Sequence, residues 1–317
     1  MSAAAAVEAR VRAGGLLRAG EPVVVMLSGG RDSVCLLDLA LRLRCDVAAL
    51  HVDHGLRAGS ADDARACATL CERLGVELVI HRATPPGGAG NVHAWARDVR
   101  YGAGRRLAAE RGAHLATAHT ATDQAETVLY RLAASPGRGA LLGMPDEAPG
   151  LVRPLLRAGV TRDGTAAWCA ARGLPWLEDP ANADLRYART RVREGLVPAL
   201  RAVHPHAEAN VLRTAERLRE EAAVLDAVVD EALGGRDRIA LEELAALPAA
   251  LARLVVRRLA EAATGGGCPR AAARLDDVLA LDGAGAALDV GDGARAVVRG
   301  GDLRFTRTPP LARRGTA

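Results

Sequence analysis

Residues 23–34, Val-Val-Val-Met-Leu-Ser-Gly-Gly-Arg-Asp-Ser-Val, constrain this chain more than any other stretch. An apolar, β-branched run reads as a buried strand. It breaks at Ser28-Gly29-Gly30, and apolar residues return at Val34, Leu37 and Leu41 with helical spacing. A strand therefore meets a helix across a tight turn whose glycines let the backbone bend and approach a ligand closely. The open N–H groups at the helix start, with the positive end of its dipole, favour an anion, and a phosphate group fits best. Ser28 and Ser33 add hydroxyl donors, and Asp32 can help hold a magnesium ion. Arg31 fills a variable place in the loop.

Over residues 1–160 the pattern alternates. Strands are expected at 22–28, 47–52, 76–81 and 114–118, and helices at 33–44, 61–74, 92–111 and 122–134. Such alternation predicts an α/β fold with a parallel, doubly wound, Rossmann-like sheet covered on both faces. Ligands in these sheets bind beyond the carboxyl ends of the strands. Helical patterns follow at 163–172, 189–203, 206–233 and 241–263, and the tail from 286 to 307 reads as short strands. Asp292-Gly293 within that tail signals a hairpin. The reading divides the chain at His204-Pro205 into a nucleotide-binding domain, 1–203, and a mostly helical domain, 204–317, ending in short strands.

Composition narrows the function classes. Half the 317 residues are hydrophobic but only 2% are aromatic, so the core is built from Leu, Val and Ala. All 42 basic residues are Arg; 26 face 21 acids over residues 1–203, and 16 face 17 over 204–317. A nucleic-acid partner is compatible with this balance. The cysteines at 35, 45, 67, 71, 169 and 268 form no Cys-x-x-Cys, which argues against a zinc ribbon or an iron–sulfur site. No signal peptide or membrane span is legible, and the expected compartment is the cytoplasm.

Further polar clusters fall at the ends of the expected strands. His51-Val-Asp-His54-Gly-Leu-Arg57 closes the second. Arg57 could hold phosphate and His54 could orient the loop; the segment could equally be a plain polar loop. Asn91 through Tyr101 reads as a helix capped by Asn91, with Arg97, Arg100 and Tyr101 on one face, either a solvated basic face or part of a site. After the fourth strand, Thr120 with Asp123 fits a capping box, Ala125, Val128, Leu129 and Leu132 form the expected buried stripe, and Asp123 and Glu126 project elsewhere. Two such carboxylates beside a phosphate loop can bind magnesium, although each would also complement the helix dipole. Arg186, Arg189 and Arg193 read as one basic stripe, for triphosphate or RNA backbone, with Val192, Leu196, Ala199 and Val203 as the apolar stripe of the same helix.

Walker A spacing and the dinucleotide Gly-x-Gly-x-x-Gly pattern are both absent from the first loop. Ser-Gly-Gly-x-Asp-Ser instead resembles the pyrophosphate loop of the N-type ATP pyrophosphatases (PP-loop family). In that family the loop grips the β- and γ-phosphates of ATP while an adenylate forms. Ser28–Ser33, His51–Arg57, Asn91–Tyr101, Ala118–Thr127, Arg153-Pro-Leu-Leu156 and Asp179–Arg193 together resemble, in order, tRNA(Ile)-lysidine synthetase. The resemblance covers roughly 20–200 closely, and Leu247–Leu251 is similar to that family's linker.

The resemblance implies a ligase that uses ATP and Mg2+. C2 of the wobble cytidine in a tRNA(Ile) with a CAU anticodon would be adenylated, and the ε-amine of L-lysine would displace AMP. It further implies ATP binding by Ser28, Gly29, Gly30, Arg31, Asp32, Ser33, His54, Arg57 and His119. Catalytic roles would fall to Asp32, Asp123, Glu126 and Arg97, metal binding to Asp32 and Asp123, and phosphate or tRNA contacts to Arg186, Arg189 and Arg193. The later helices and strands would bind tRNA, no membrane is implied, and a homodimer is left open. Thr122 stands where the family often has a second acid, Arg-Asn-x-x-Arg reads Arg189-Thr-Arg-Val-Arg193, and Arg-Gly-Ser-Gly reads Ala133-Ala-Ser-Pro-Gly137. Two other readings stay open: a thiolase-like PP-loop enzyme acting on tRNA, and a nucleotide-binding module without catalysis.

Overall fold

Successive residues of the first strand, β1 (Pro22–Met26), belong to different cores. Val23, Val25 and Leu27 pack with Leu36, Leu39 and Trp168; Val24 and Met26 pack with Tyr101, Leu107 and Leu115. A strand buried on both faces must be apolar throughout, which is why this run lacks polar alternation. The computed structural model describes residues 3–56, 59–86, 91–135, 137–178, 184–281 and 285–309.

The chain divides into two compact units, residues 1–216 and 217–317. The first opens with α1 (Ala3–Ala13), β1, α2 (Arg31–Arg42), β2 (Asp46–Asp53), α3 (Ser60–Leu74) and β3 (Glu77–Arg82). It continues through α4 (Val92–Glu110), β4 (His114–Ala116) and α5 (Ala121–Ala134). The six-stranded sheet has the order β3-β2-β1-β4-β6-β5. β1, β2, β3, β4 and β6 (Leu151–Val152) run parallel, and only β5 (Glu147–Ala148) is antiparallel. The expected parallel, doubly wound fold is thus present. The β5–β6 hairpin and the short α6 (Arg138–Leu141) lie between the helices expected at 122–134 and 163–172, where no strand was expected.

The strand order places the site. From β1 the chain winds outward through β2 and β3, then returns to lay β4 on the other side of β1. The switch point is the crevice between β1 and β4, where helices on opposite faces leave the strand ends open. The Ser28 loop follows β1 and the His119–Thr120 segment follows β4, so both border that crevice.

Beyond β6 come α7 (Pro154–Arg157), α8 (Arg162–Ala171) and α9 (Ala188–Arg191). A π-helical turn over Val192–Leu196 leads into α10 (Val197–Val203). The π turn corrects the expected apolar stripe. An α-helix from Val192 would bury Leu196, but the backbone N–H of Val197 donates to the Val192 carbonyl, and one extra residue enters the turn. Val192 and Val197 are buried with Leu129, while Leu196 and Val203 are exposed. Leu132 on α5 is likewise 62% exposed, outside the buried stripe expected for it.

The division between units falls within α11 (Ala207–Leu233). The second unit adds β7 (Arg238–Ala240), α12 (Leu241–Ala246), α13 (Ala249–Thr264), α14 (Pro269–Ala273), α15 (Leu275–Leu279), β8 (Ala287–Gly291), β9 (Ala294–Arg299) and β10 (Asp302–Arg307). Its antiparallel sheet has the order β7-β10-β9-β8 and packs through Ile239, Val298 and Leu303 on Val255, Val256 and Leu259 of α13. The helix expected over 241–263 is two helices, because it breaks at Leu247-Pro248, and proline has no N–H to continue it. The expected hairpin is present, with φ of +54° at Asp292 and +76° at Gly293. Among the described residues no helix is long and apolar enough to cross a membrane.

Candidate active site

The loop after β1 is held by its own hydroxyls. Ser33 Oγ donates to the Gly30 carbonyl at 2.7 Å, the Ser28 backbone N–H donates to Ser33 Oγ at 3.2 Å, and the two serine hydroxyls lie 3.2 Å apart. Gly29 has φ +83°, and its carbonyl accepts from the Leu177 N–H at 2.9 Å. A Cβ there would stand 2.6 Å from Leu177 Cδ1, so only glycine fits beneath the segment crossing the loop. Gly30 is the N-cap of α2, and no side chain caps that helix. Its first-turn amides are left for an anion.

Asp32, in the first turn of α2, faces α5 and α8. Thr165 Oγ1 donates to Asp32 Oδ1 and also bonds the Arg162 carbonyl at 2.8 Å. Burial pushes the Asp32 carboxyl above its ordinary range despite Thr165, and the nearby charge of Asp123 adds to the rise.

The expected capping box at the start of α5 is formed. The Asp123 N–H donates to Thr120 Oγ1 at 3.2 Å, and both the N–H and the hydroxyl of Thr120 donate to Asp123 Oδ2 at 2.8 Å. Burial raises the Asp123 carboxyl, but these bonds, with Arg162 and His119, bring it net below its ordinary range. Glu126, one turn on, is completely buried, and Arg193 grips both its oxygens at 2.7 and 2.9 Å. Arg189 Nη2 donates to Thr127 Oγ1 at 2.8 Å, so the segment from α9 into the π turn is bound along α5.

His119 ends the crevice on the β4 side. Its Nδ1 shares a 2.9 Å hydrogen bond with Thr117 Oγ1. Burial, aided by Arg153, Arg100 and Arg189 and opposed by Asp123, depresses its pKa to about 4, so the imidazole is neutral near pH 7.

Asn91 caps α4 as expected, its Oδ1 accepting from the Ala94 N–H at 3.1 Å. The guanidinium of Arg97 lies 4.7 Å from the Tyr101 ring centroid and that of Arg100 lies 5.6 Å away. Arg100 Nε, Tyr101 Oη and His54 Nδ1 are buried without a hydrogen-bond partner among the described residues, and such groups call for a polar guest. His54 meets the edge of Trp95, and burial together with Arg100 depresses its pKa.

Asp32, Asp123, Glu126, His119, Arg189 and Arg193 are therefore linked by contacts or electrostatics around one crevice, with Ser28–Ser33 on its edge. Arg186 is not among them. It lies in the turn before α9, pairs with Asp184 at 2.6 Å and is 84% exposed, so the three-arginine stripe is a two-arginine contact. Arg57 lies outside the described residues. Arg31 Nε stands 3.9 Å from Asp32 Oδ1.

Sequence reasoning missed Arg162, the first residue of α8. Its three guanidinium nitrogens stand 3.8 Å from Asp32, 3.9 Å from Asp123 and 3.9 Å from Glu126. Thr165 and the buried Arg153, whose Nη1 donates to the Pro145 carbonyl at 2.6 Å, were likewise unassigned. The only local signal is Thr161, which caps α8 and so points to a helix start there.

A glycine-rich strand-to-helix loop and a carboxylate cluster at the switch point of a parallel sheet are the layout of the nucleotide-binding class of α/β proteins. Residues 6–200 match the PP-loop domain family, ATP_bind_3. The tRNA(Ile)-lysidine synthase of Gloeobacter violaceus is 40% identical over 258 residues, covering 77% of this chain and 78% of that one. The one from Methylobacterium nodulans is 40% identical over 311 residues, covering 91% of each. Among solved structures, a U34-tRNA thiolase of Methanococcus maripaludis superposes with a TM-score of 0.58 at 21% identity, covering 68% of this chain and 78% of that one, a likeness of fold. The chain belongs to the PP-loop family and, within it, to the tRNA(Ile)-lysidine synthases.

Proposed function

We propose that this chain ligates L-lysine to C2 of the wobble cytidine of a tRNA(Ile) with a CAU anticodon, through an adenylated cytidine, with release of pyrophosphate and AMP. The observation that carries this reading is the convergence of the glycine loop, Asp32 and Asp123 at the β1–β4 crevice in a chain of this family. The first-turn amides of α2 and the hydroxyls of Ser28 and Ser33 hold the leaving pyrophosphate. Arg97, Arg100 and Arg189 balance phosphate charge. His119, neutral and engaged through Nδ1 by Thr117, leaves Nε2 for the nucleotide.

The donor set suits Mg2+. Asp32 Oδ2 and Asp123 Oδ1 accept no hydrogen bond among the described residues, and the two carboxylates repel each other. Hard oxygen ligands of this kind are the ones Mg2+ takes. Bound there, it would neutralise triphosphate charge. Glu126, with both oxygens held by Arg193, fixes that guanidinium at the crevice. The chain needs no covalent nucleophile; it aligns the cytosine oxygen with the α-phosphate and keeps water from the adenylate. The 217–317 unit presents the tRNA, and the reaction belongs to the cytoplasm.

The thiolase-like reading needs reactive sulfur. Burial pushes Cys67 and Cys169 up to about 12 and Cys45 and Cys71 up to about 11, the opposite of thiolate activation. The deciding measurement is AMP release, expected only when ATP, lysine and the tRNA are all present, with lysidine found by mass analysis of the anticodon nucleosides. Asp32→Ala should abolish release. Release without lysine, or an unmodified cytidine, defeats the proposal.

A further inference from the structure

Arg162 is placed unlike any other cation of the site. Its Nε faces Asp32 Oδ2 at 3.8 Å, its Nη2 faces Asp123 Oδ1 at 3.9 Å, and its Nη1 faces Glu126 Oε1 at 3.9 Å. One guanidinium thus stands among three carboxylates and presents a different nitrogen to each. None of these contacts reaches hydrogen-bond distance, and Arg162 Nε is buried without a partner. Arg193 is the contrast: it makes two short, parallel bonds to Glu126 and belongs to that residue.

Two carboxylate oxygens are left over. Asp32 Oδ1 is taken by Thr165, Asp123 Oδ2 by Thr120, and both oxygens of Glu126 by Arg193. Among the described residues, Arg162 is the cation within 4 Å of Asp32 Oδ2 and of Asp123 Oδ1. These are the same oxygens that suit a divalent cation. Arg162 is meanwhile pinned by its backbone rather than its head: its N–H donates to Thr122 Oγ1 at 3.1 Å. A tethered residue with an unbonded charged head can swing away without breaking a directional bond.

We propose that Arg162 is the resident counter-cation of the Asp32–Asp123–Glu126 cluster, occupying in the nucleotide-free chain the charge position that a divalent cation takes together with ATP. The inference rests on the metal reading of Asp32 and Asp123 and adds a rule of order to it. A free divalent ion must enter beside a fixed positive charge, which Coulomb repulsion disfavours. A triphosphate arriving with the ion offsets that repulsion and gives the guanidinium a new anionic partner. Arg162 therefore makes metal binding conditional on nucleotide.

The test titrates Mn2+ into the full chain and reads free Mn2+ by electron paramagnetic resonance, with and without ATP, each ATP series measured against the same ATP without protein so that only uptake by the chain is counted. The wild type should bind Mn2+ only when ATP is present. Arg162→Met, which keeps the length and removes the charge, should bind one Mn2+ per chain without nucleotide, at least tenfold tighter than the wild type. Adding Asp32→Asn to that variant should abolish the binding, and Arg162→Lys should restore the wild-type dependence on ATP. Should Arg162→Met fold poorly, Arg162→Gln carries the same expectation. Nucleotide-free Mn2+ binding equal in the wild type and the neutral variants overturns the proposal while leaving the metal reading standing. Mn2+ uptake with ATP that survives Asp32→Asn in the wild-type background overturns both.

Discussion

Arg193 reaches Glu126 with two nitrogens, Nε to Oε1 at 2.7 Å and Nη2 to Oε2 at 2.9 Å, and it does so from within a turn of π-helix. The carboxylate at its end is wholly buried. A buried charge of this kind is tolerated only with its partner in place, and removing one member leaves the other uncompensated. Arg193→Met should therefore lower stability by about 3–5 kcal/mol. For a domain of this size that is a fall in Tm of roughly 6–20 °C. The double variant with Glu126→Gln should lose markedly less than Arg193→Met alone. Thermal melting of the single and double variants measures this, and losses that simply add would show that the pair is not coupled.

Asp32 carries a different expectation. Burial, with Asp123 close by, raises its carboxyl above the ordinary 3.8 in the folded chain. The folded state then holds this proton more tightly than the unfolded state, so stability declines as pH rises from the unfolded pKa through the raised one. Above that window the ionised carboxylate is a standing cost. Asp32→Asn removes it and can still accept from Thr165. Its Tm at pH 7 should rise above the wild type while pyrophosphate release stops; a lower Tm contradicts the assignment.

His119 titrates in the opposite sense. Its pKa is depressed to about 4 in the folded chain, against 6.5 ordinarily, with burial the main cause. The unfolded chain binds this proton more readily, so the contribution to stability is complete above about 6.5 and drains away as pH falls towards 4. His119→Gln should flatten the stability–pH curve in that interval. Chemical denaturation at a series of pH values reads the slope, and an unchanged slope would place the imidazole outside the crevice.

Gly29 has φ +83°, and a Cβ there would lie 2.6 Å from Leu177 Cδ1 and 3.2 Å from Cys67 Sγ. Gly29→Ala should cost about 1–2 kcal/mol from the left-handed backbone alone. Leu177→Ala in that background relieves the contact but not the dihedral strain. ATP affinity should drop at least tenfold in Gly29→Ala and recover only in part in the double variant. Equilibrium binding of ATP follows this directly; wild-type affinity in Gly29→Ala would remove the loop from the phosphate site.

The phosphate loop, the alternation of strands and helices, the Asn91 cap and the Thr120–Asp123 capping box were all legible because each depends on residues within a few places of one another. Local sterics and local hydrogen bonds settle such features before the chain packs. The π turn was not, since one extra residue in a turn changes which side chains face inward without changing the composition of the segment. Val197 rather than Leu196 lines the core where Arg189 and Arg193 bond to α5.

Sequence alone therefore determined the four parallel strands β1–β4, the glycine loop after β1 and the capping box of α5, all properties of short-range pattern. Only the tertiary structure decided which charges meet. It left Arg186 paired with Asp184 in the turn before α9, gave Glu126 to Arg193, and set Arg162, 130 residues from Asp32 along the chain, among three acids. The physical reason is that charge pairing inside a crevice depends on distances of a few ångströms between elements remote in sequence, and those distances exist only once the sheet has folded back on itself.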